Sequence, residues 1–330
     1  MKRHLAFALV AVVTLAACSK EDLQPGQTSP EANSFLVATV WEMPTNSFRM
    51  VRYNSSGAWG GDPFISRNFS TAVSFDAYPD INEKGDKLVH IGNDSIYIMD
   101  VQTGNSTFLY KHEHSLIDLP KISEDGTWIA FSEYNPLYQR RDVYVMSAVP
   151  GAKPVNITRN APGYHSSYPV FNRDATRVAF TKGNGENDGI YMSDLQGNNL
   201  VRISEVHSVR NIDCEPLFTK DGNGLIYASD RFNNGDWPFE LVISGIGEGA
   251  ESSCNRLTTL KNLGLNVALH PTLSTDGRTL YFYGYSDTQG SFIYSMQFPG
   301  GKPVKLTACM LGSDEVIVGL NYVNKSQTGR

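Results

Sequence analysis

Carboxylate, imidazole and phenol side chains recur near one position of the sequence, close to a proline that opens a short apolar run. Such groups can hydrogen-bond a polar ligand, and carboxylates with imidazoles can also ligate a divalent cation. If the apolar runs are strands that all begin at the same mouth of a central channel, these side chains form a binding site at that mouth. The candidate residues are Asp76, Tyr78, Asp118, His165, Tyr168, Asp213, Glu215 and His270. The alternative is that they cap neighbouring strands and hold water.

The elements that would position these residues are read from an internal repeat. Five segments share a proline, a short apolar run, a turn and a second apolar run. Their prolines are 41, 49, 47 and 55 residues apart, close to the roughly 40–50 residues of a four-stranded propeller blade. The repeat prolines are Pro79, Pro120, Pro169, Pro216 and Pro271.

Turn chemistry supports paired strands within each repeat. Asp125-Gly126, Asp221-Gly222 and Asp276-Gly277 each lie between two apolar runs. Glycine tolerates a positive φ and aspartate bonds its local backbone, so both residues suit a tight hairpin. The runs that follow are β-branched and aromatic, which favours strands. The sequence therefore predicts an all-β domain.

The two ends of the domain each supply part of a further blade. Residues 35–41 and 48–53 read as strands without a preceding proline, and residues 315–323 form one isolated strand. Joining them predicts a six-bladed β-propeller over 35–330, in which the C-terminal strand completes the N-terminal blade. Such closure leaves only short edges exposed.

The best-matched repeat carries a family resemblance. It reads Asp213-Cys214-Glu215-Pro216, then Thr219-Lys220-Asp221-Gly222, then Ala228-Ser229-Asp230-Arg231. The pattern resembles the TolB-like propeller with its WD40-like Pro-Asp repeats, over about residues 70–308. The resemblance implies a propeller without fixing its function. Neither TolB's N-terminal α/β domain nor a hydrolase domain has room beside the propeller.

Two functions follow from this resemblance. The first is a non-enzymatic scaffold that binds an envelope protein, or a cell-wall or glycan component, at the channel mouth. It has no catalytic residues and needs no cofactor. The alternative is a metal-assisted lyase or hydrolase of acidic oligosaccharides, because lyases of this fold use channel-mouth histidines with a metal. Convergence of His165, His207 and His270 would favour the second function.

The N-terminus predicts export and a lipid anchor. Lys2 and Arg3 precede an uncharged apolar run, and residues 15–18, Leu-Ala-Ala-Cys, resemble a bacterial lipobox. We expect a signal peptide over 1–17, lipidation of Cys18, and a flexible tether over 18–34. The predicted location is the outer membrane, with the domain on the periplasmic side or at the cell surface.

The net charge limits the class of partner, and the cysteine count limits the number of disulfides. The net charge of −6 argues against nucleic acid, and the chain is expected to be a monomer. Apart from Cys18 the chain has Cys214, Cys254 and Cys309, an odd number that allows at most one disulfide among them.

Overall fold

The computed structural model describes most of the predicted domain. The described residues are 34–42, 47–54, 59–70, 79–112, 115–159, 165–184, 187–205, 211–233, 239–246, 254–288, 290–308 and 315–324. The predicted signal peptide, Cys18, nearly all of the tether, and the candidates Asp76, Tyr78 and His207 lie outside them.

The regular secondary structure of the described residues is almost entirely β-strand, arranged in consecutive antiparallel groups of four. The first group contains β1 (Ser34–Glu42), β2 (Ser47–Asn54) and β3 (Trp59–Ser70), with β24 (Glu315–Asn324) as its fourth strand. The next contains β4 (Asp80–Ile81), β5 (Lys87–Gly92), β6 (Ser95–Asp100) and β7 (Ser106–Lys111). It is followed by β8 (Leu116–Ile122), β9 (Trp128–Asn135), β10 (Arg140–Ser147) and β11 (Val155–Asn156).

The same order continues to the end of the repeats. One group contains β12 (His165–Phe171), β13 (Arg177–Gly183), β14 (Asn187–Asp194) and β15 (Val201–Arg202). Another contains β16 (Asn211–Phe218), β17 (Gly224–Ser229), β18 (Glu240–Gly245) and β19 (Asn255–Arg256). The last contains β20 (Val267–Leu273), β21 (Thr279–Ser286), β22 (Gly290–Gln297) and β23 (Val304–Ala308).

Helix is confined, in the described part of the chain, to two short segments. They are a 3₁₀ turn, Arg231–Asn233, and α1, Leu260–Leu263. No helix among these residues is long and apolar enough to cross a membrane.

The first and last strands of the domain lie side by side. β24 pairs with β1 in antiparallel register, from Ser34 opposite Asn324 to Glu42 opposite Glu315. Among the described residues, two further pairs of neighbouring groups are joined by short parallel bridges: Arg141 of β10 lies opposite His165 of β12, and Asn187 of β14 lies opposite Asn211 of β16. These groups are therefore joined by backbone pairing between strands as well as by their connecting loops.

The core lies between neighbouring sheets, because each sheet buries side chains on both faces. Val143 and Val145 of β10 pack with Val178 and Phe180 of β13, and all four are at most 1% exposed. The opposite face of the β12–β15 group contributes Ala179 to a separate cluster with the following group. Such stacking of twisted four-stranded sheets is the packing of propeller blades.

The predicted Asp-Gly turns are confirmed. Gly126, Gly222 and Gly277 have φ of +73°, +72° and +69°. Asp125 shows the local bonding: its Oδ1 accepts hydrogen bonds from the Ser123 hydroxyl at 2.6 Å and the Thr127 amide at 3.0 Å. These turns mark one end of the innermost strands, which we call the turn end; the opposite end, where those strands begin, is the start end.

Candidate functional site

The innermost strand of each of four groups contains a β-bulge at the repeat proline. The pairing of β16 with β17, for example, shifts register between Cys214 and Leu217. A bulge inserts one residue and re-aims a side chain. The residue before each proline has a positive φ that is uncommon for a non-glycine residue, which marks a repeated backbone device. These residues are Leu119 (+47°), Tyr168 (+52°), Glu215 (+54°) and His270 (+52°).

The bulges deliver these side chains into one space, which we call the central cavity. It is lined by residues of β4, β8, β12, β16, β20 and β24. Three of the candidates from the sequence, Tyr168, Glu215 and His270, line it. Their common position directly before a repeat proline explains why they meet.

Glu215 and His270 form a close pair within the cavity. His270 Nδ1 lies 3.0 Å from Glu215 Oε2, and the His270 backbone amide donates to the same oxygen at 2.9 Å. Burial disfavours the Glu215 carboxylate, but the His270 contacts and the charge of Lys121 outweigh burial and hold its pKa below the usual value. Glu215 is therefore a charged acceptor that fixes the imidazole.

The remaining described candidates do not line the central cavity. Asp118 is 3% exposed, and its Oδ2 lies 2.5 Å from Arg141 Nη1. Asp213 is fully buried, opposite Ser229 in the β16–β17 pair. The His165 ring lies 6.4 Å from that of Tyr134. The structure thus separates the three candidates in the cavity from Asp118 and Asp213, which are buried, and from His165, which is half-buried at the beginning of β12.

A second ring of polar residues lies at the turn end of the central cavity, and the sequence reasoning missed it. Each member stands four residues after a repeat proline, so a comparison at this fixed offset would have found it. We call it the turn ring, and its members are Glu83, Glu124, Arg173, Lys220 and Thr275. The four charged members line the cavity.

Lys220 is the centre of the turn ring. Its Nζ lies 2.5 Å from Glu83 Oε2 and 2.5 Å from Glu124 Oε1. Arg173 Nε lies 4.0 Å from the other Glu124 oxygen. Burial raises the pKa of Glu124 to about 7, and the Glu83 charge adds to the rise against the opposing Lys220. Glu83 is also buried, but Lys220 and its hydrogen bonds hold the Glu83 pKa below the usual value.

A further ion pair lies along the central cavity, between the residues before the prolines and the turn ring. Lys121 Nζ donates to Asp80 Oδ1 at 2.9 Å, and the Ile122 amide donates to Asp80 Oδ2 at 3.0 Å. The charged residues described along the cavity therefore occur as contacting opposites. An arrangement of this kind carries little net charge with which to attract a strongly acidic or basic chain.

Neither metal nor thiol chemistry has a prepared site in the described part of the chain. No group of three or more His, Cys, Asp or Glu side chains that could hold a metal ion occurs there. Cys214 and Cys254 are both free thiols, so these two do not pair, and Cys309 lies outside the described residues. Burial, with the neighbouring acidic groups, raises the pKa of Cys214 well above the usual value, which disfavours the reactive thiolate. Independence from a cofactor stays a prediction.

An apolar hairpin tip projects at the start end. Leu137 and Tyr138, between β9 and β10, are 80% and 78% exposed. The end of β9 is placed beside the beginning of β8 by the register of Tyr134 opposite Leu116. Asn135 Oδ1 accepts from the Leu137 amide at 3.0 Å, so local hydrogen bonding shapes the tip. Exposed aromatic residues on shaped loops favour recognition.

Comparisons with known proteins identify the architecture. No family model and no curated protein matches the chain. A putative TolB from Agrobacterium tumefaciens matches with a TM-score of 0.60 and 16% identity over 88% of this chain and 98% of that chain. TolB from Acinetobacter baumannii matches with a TM-score of 0.61 and 16% identity, over 87% of this chain and 66% of that chain. A chain of a nidogen/laminin complex matches with a TM-score of 0.60 and 11% identity, over 88% and 99%. At such identities the likeness concerns the fold, and this chain has a TolB-like β-propeller fold.

Proposed function

We propose that this chain is a cell-envelope binding scaffold that docks a protein partner on the start end of a six-bladed propeller. The observation that carries the proposal is the convergence of Tyr168, Glu215 and His270 in the central cavity. They occupy one repeat position but differ in chemistry. A cavity that varies side chains on a repeated backbone is suited to recognition.

The six-bladed ring is part of this proposal. The pairing of β1 with β24 supports closure, since it lets the last strand serve as the innermost strand of the first blade. The cavity supports it as well, because the innermost strands of all six four-strand groups line one space. Six blades also agree with the repeat length of the sequence.

A protein partner is favoured over an acidic glycan by the charges of the central cavity. An acidic oligosaccharide would need unpaired positive groups, whereas Lys121 and Lys220 both contact carboxylates. The apolar tip at Leu137 and Tyr138 adds a surface that a protein would bury. Apolar anchors of this kind supply much of the affinity of protein interfaces.

The proposed anchor joins the domain at the turn end. Ser34 pairs with Asn324 at the turn end, where the predicted tether from lipidated Cys18 would join the domain. The start end is then the end farther from the point where the tether joins the domain. The proposal holds for a monomeric domain on either the periplasmic or the external side of the outer membrane.

The test is chemical cross-linking in intact cells with the full chain as bait. The variant Leu137→Ser/Tyr138→Ser removes the apolar tip, and Val149→Ser is its matched control. Val149 is 54% exposed but lies at the turn end, where Ala148 bonds Thr127. We expect one envelope protein to be captured by the parent and the control but not by the tip variant.

Two results would overturn the proposal. Equal capture by all three chains and by a fourth chain, His270→Ala/Glu215→Gln, would place the partner elsewhere on the molecule. Failure to capture any protein, together with metal-dependent cleavage of an acidic oligosaccharide, would make the lyase or hydrolase function the better account.

A further inference from the structure

The turn ring joins parts of the molecule that are far apart in the chain. Lys220 follows β16, whereas Glu83 follows β4 and Glu124 follows β8. Its two contacts connect residues 137 and 96 positions apart. One side chain thus reaches, across the turn end, to the group three places earlier in the repeat order.

The surroundings hold the Lys220 side chain in place. Its side chain is 15% exposed, and that of Glu83 is 9% exposed. An added Cβ at Gly277 would lie 3.0 Å from Lys220 Cβ, so the glycine leaves room for the lysine stem. Glu83 also hydrogen-bonds the Thr275 side chain, and Thr275 Oγ1 accepts a hydrogen bond from Asn324 Nδ2 at 3.3 Å. The contacts therefore run from β16 around to β24.

We propose that the Lys220 bridge closes the central cavity at the turn end, so that the cavity is a blind pocket entered only from the start end. For the proposed function, on which this step rests, closure limits the kind of partner that can enter the cavity. A partner segment that enters must end or turn back inside the cavity, as a chain terminus or loop does. A continuous strand cannot pass through.

Closure is testable without any partner, so its failure is distinct from failure of the proposed function. A reporter cysteine replaces Thr272, which lines the cavity on β20. The full chain is treated at pH 8 with a small methanethiosulfonate reagent. The labelling rate at position 272 is followed by mass spectrometry of its peptide, so the native cysteines do not contribute.

Variants of the bridge then report on the turn end. Lys220→Ala should raise the labelling rate severalfold, because position 272, three residues before Thr275 of the turn ring, then has a short route from the turn end in addition to the longer route from the start end. Lys220→Arg keeps the charge and length and should leave the rate near that of the parent. Lys87→Ala is the matched control: Lys87 also lies at the turn end, where it donates to the Gly126 carbonyl at 3.1 Å, but it contacts neither carboxylate of the bridge.

A further variant guards against misfolding. If Lys220→Ala fails to give a cooperative thermal transition, Lys220→Met preserves most of the side-chain volume while removing the charge, and it should also accelerate labelling. Equal rates for the parent and the folded charge-removing variant would overturn closure by Lys220. An equal acceleration by Lys87→Ala would overturn it too, because the effect would then be general loosening of the turn end.

Discussion

The two ends of the central cavity are built from the same repeat but are organised differently. At the turn end, residues at one repeat position contact each other, and Lys220 satisfies two carboxylates at once. At the start end, the positions before the prolines carry unlike groups, and a neighbouring hairpin leaves Leu137 and Tyr138 exposed. At the turn end, charged side chains contact one another. At the start end, apolar side chains are exposed to solvent. A repeated scaffold can thus assign stability to one end and recognition to the other.

The largest expected loss of stability comes from His270→Ala. It leaves the Glu215 carboxylate, whose side chain is 12% exposed, without the imidazole that contacts it at 3.0 Å. Breaking one partner of a buried pair costs about 3 kcal/mol or more. Urea denaturation at pH 7 measures the free energy of unfolding. A double variant, His270→Ala/Glu215→Gln, should recover part of the loss; no recovery would show that the pair is not the cause.

Lys220→Ala is expected to have the next largest effect. It leaves Glu83 and Glu124 facing each other without the intervening ammonium, and a loss of about 2 kcal/mol at pH 8 is expected for such partly buried acids. Lys87→Ala should change the free energy of unfolding by less than about 0.5 kcal/mol. Both losses are measured by urea denaturation. Similar losses for the two variants would show that the contacts of Lys220 with Glu83 and Glu124 do not stabilise the turn end specifically.

The pH dependence of the turn ring is expected to follow from Glu124. Its folded pKa of about 7 lies above the usual 4.5, so the folded chain holds a proton that the unfolded chain releases between these values. Glu124 therefore lowers stability progressively as pH rises from about 4.5 to 7. Glu124→Gln should raise the Tm at pH 8 and leave it unchanged near pH 4.5. An equal shift at both pH values would contradict this cause.

Glu83 and Glu215 act in the opposite direction. Their pKa values are lowered in the folded chain, so their stabilising contribution is present above pH 4.5 and is lost as pH falls through the folded values. Glu215→Gln should therefore flatten the acid limb of a plot of Tm against pH. An unchanged limb below pH 4.5 would rule out this contribution.

The smallest effect on stability is expected for Leu137→Ser/Tyr138→Ser. Both side chains are largely in solvent, and surface substitutions of this kind usually change the free energy of unfolding by less than about 0.5 kcal/mol. Partner capture, in contrast, should be lost. A large fall in Tm would mean that the tip supports the fold, and the contrast between the two ends would weaken.

Local features of the fold were readable from the sequence because they depend on single residues or short spacing. The Asp-Gly turns are confirmed by positive φ at Gly126 and its counterparts. The predicted strands over residues 35–41 and 48–53 lie within β1, Ser34–Glu42, and β2, Ser47–Asn54. Proline spacing gave the repeat, and the fold comparison supports the TolB-like propeller.

The site was only partly readable, for two physical reasons. Simple alternation along a strand does not anticipate a bulge, which adds one residue and re-aims the side chains that follow. Glu215, directly before its proline, therefore lines the cavity, while Asp118, two residues before Pro120, does not. The contact of Lys220 with Glu83 joins residues 137 apart, and only the assembled sheets bring them together.

The pairing of Ser34 with Asn324 has a consequence for how this domain can be cut and joined. Since the two ends of the domain meet on neighbouring strands, a short linker between them could replace the existing break, and new termini could open in a loop between two other sheets. The same adjacency would let the whole domain be inserted into a surface loop of another protein with little separation of that loop's ends. A circular permutant opened within residues 261–264, in the connection between β19 and β20, should therefore keep the same strand order around the β1–β24 seam.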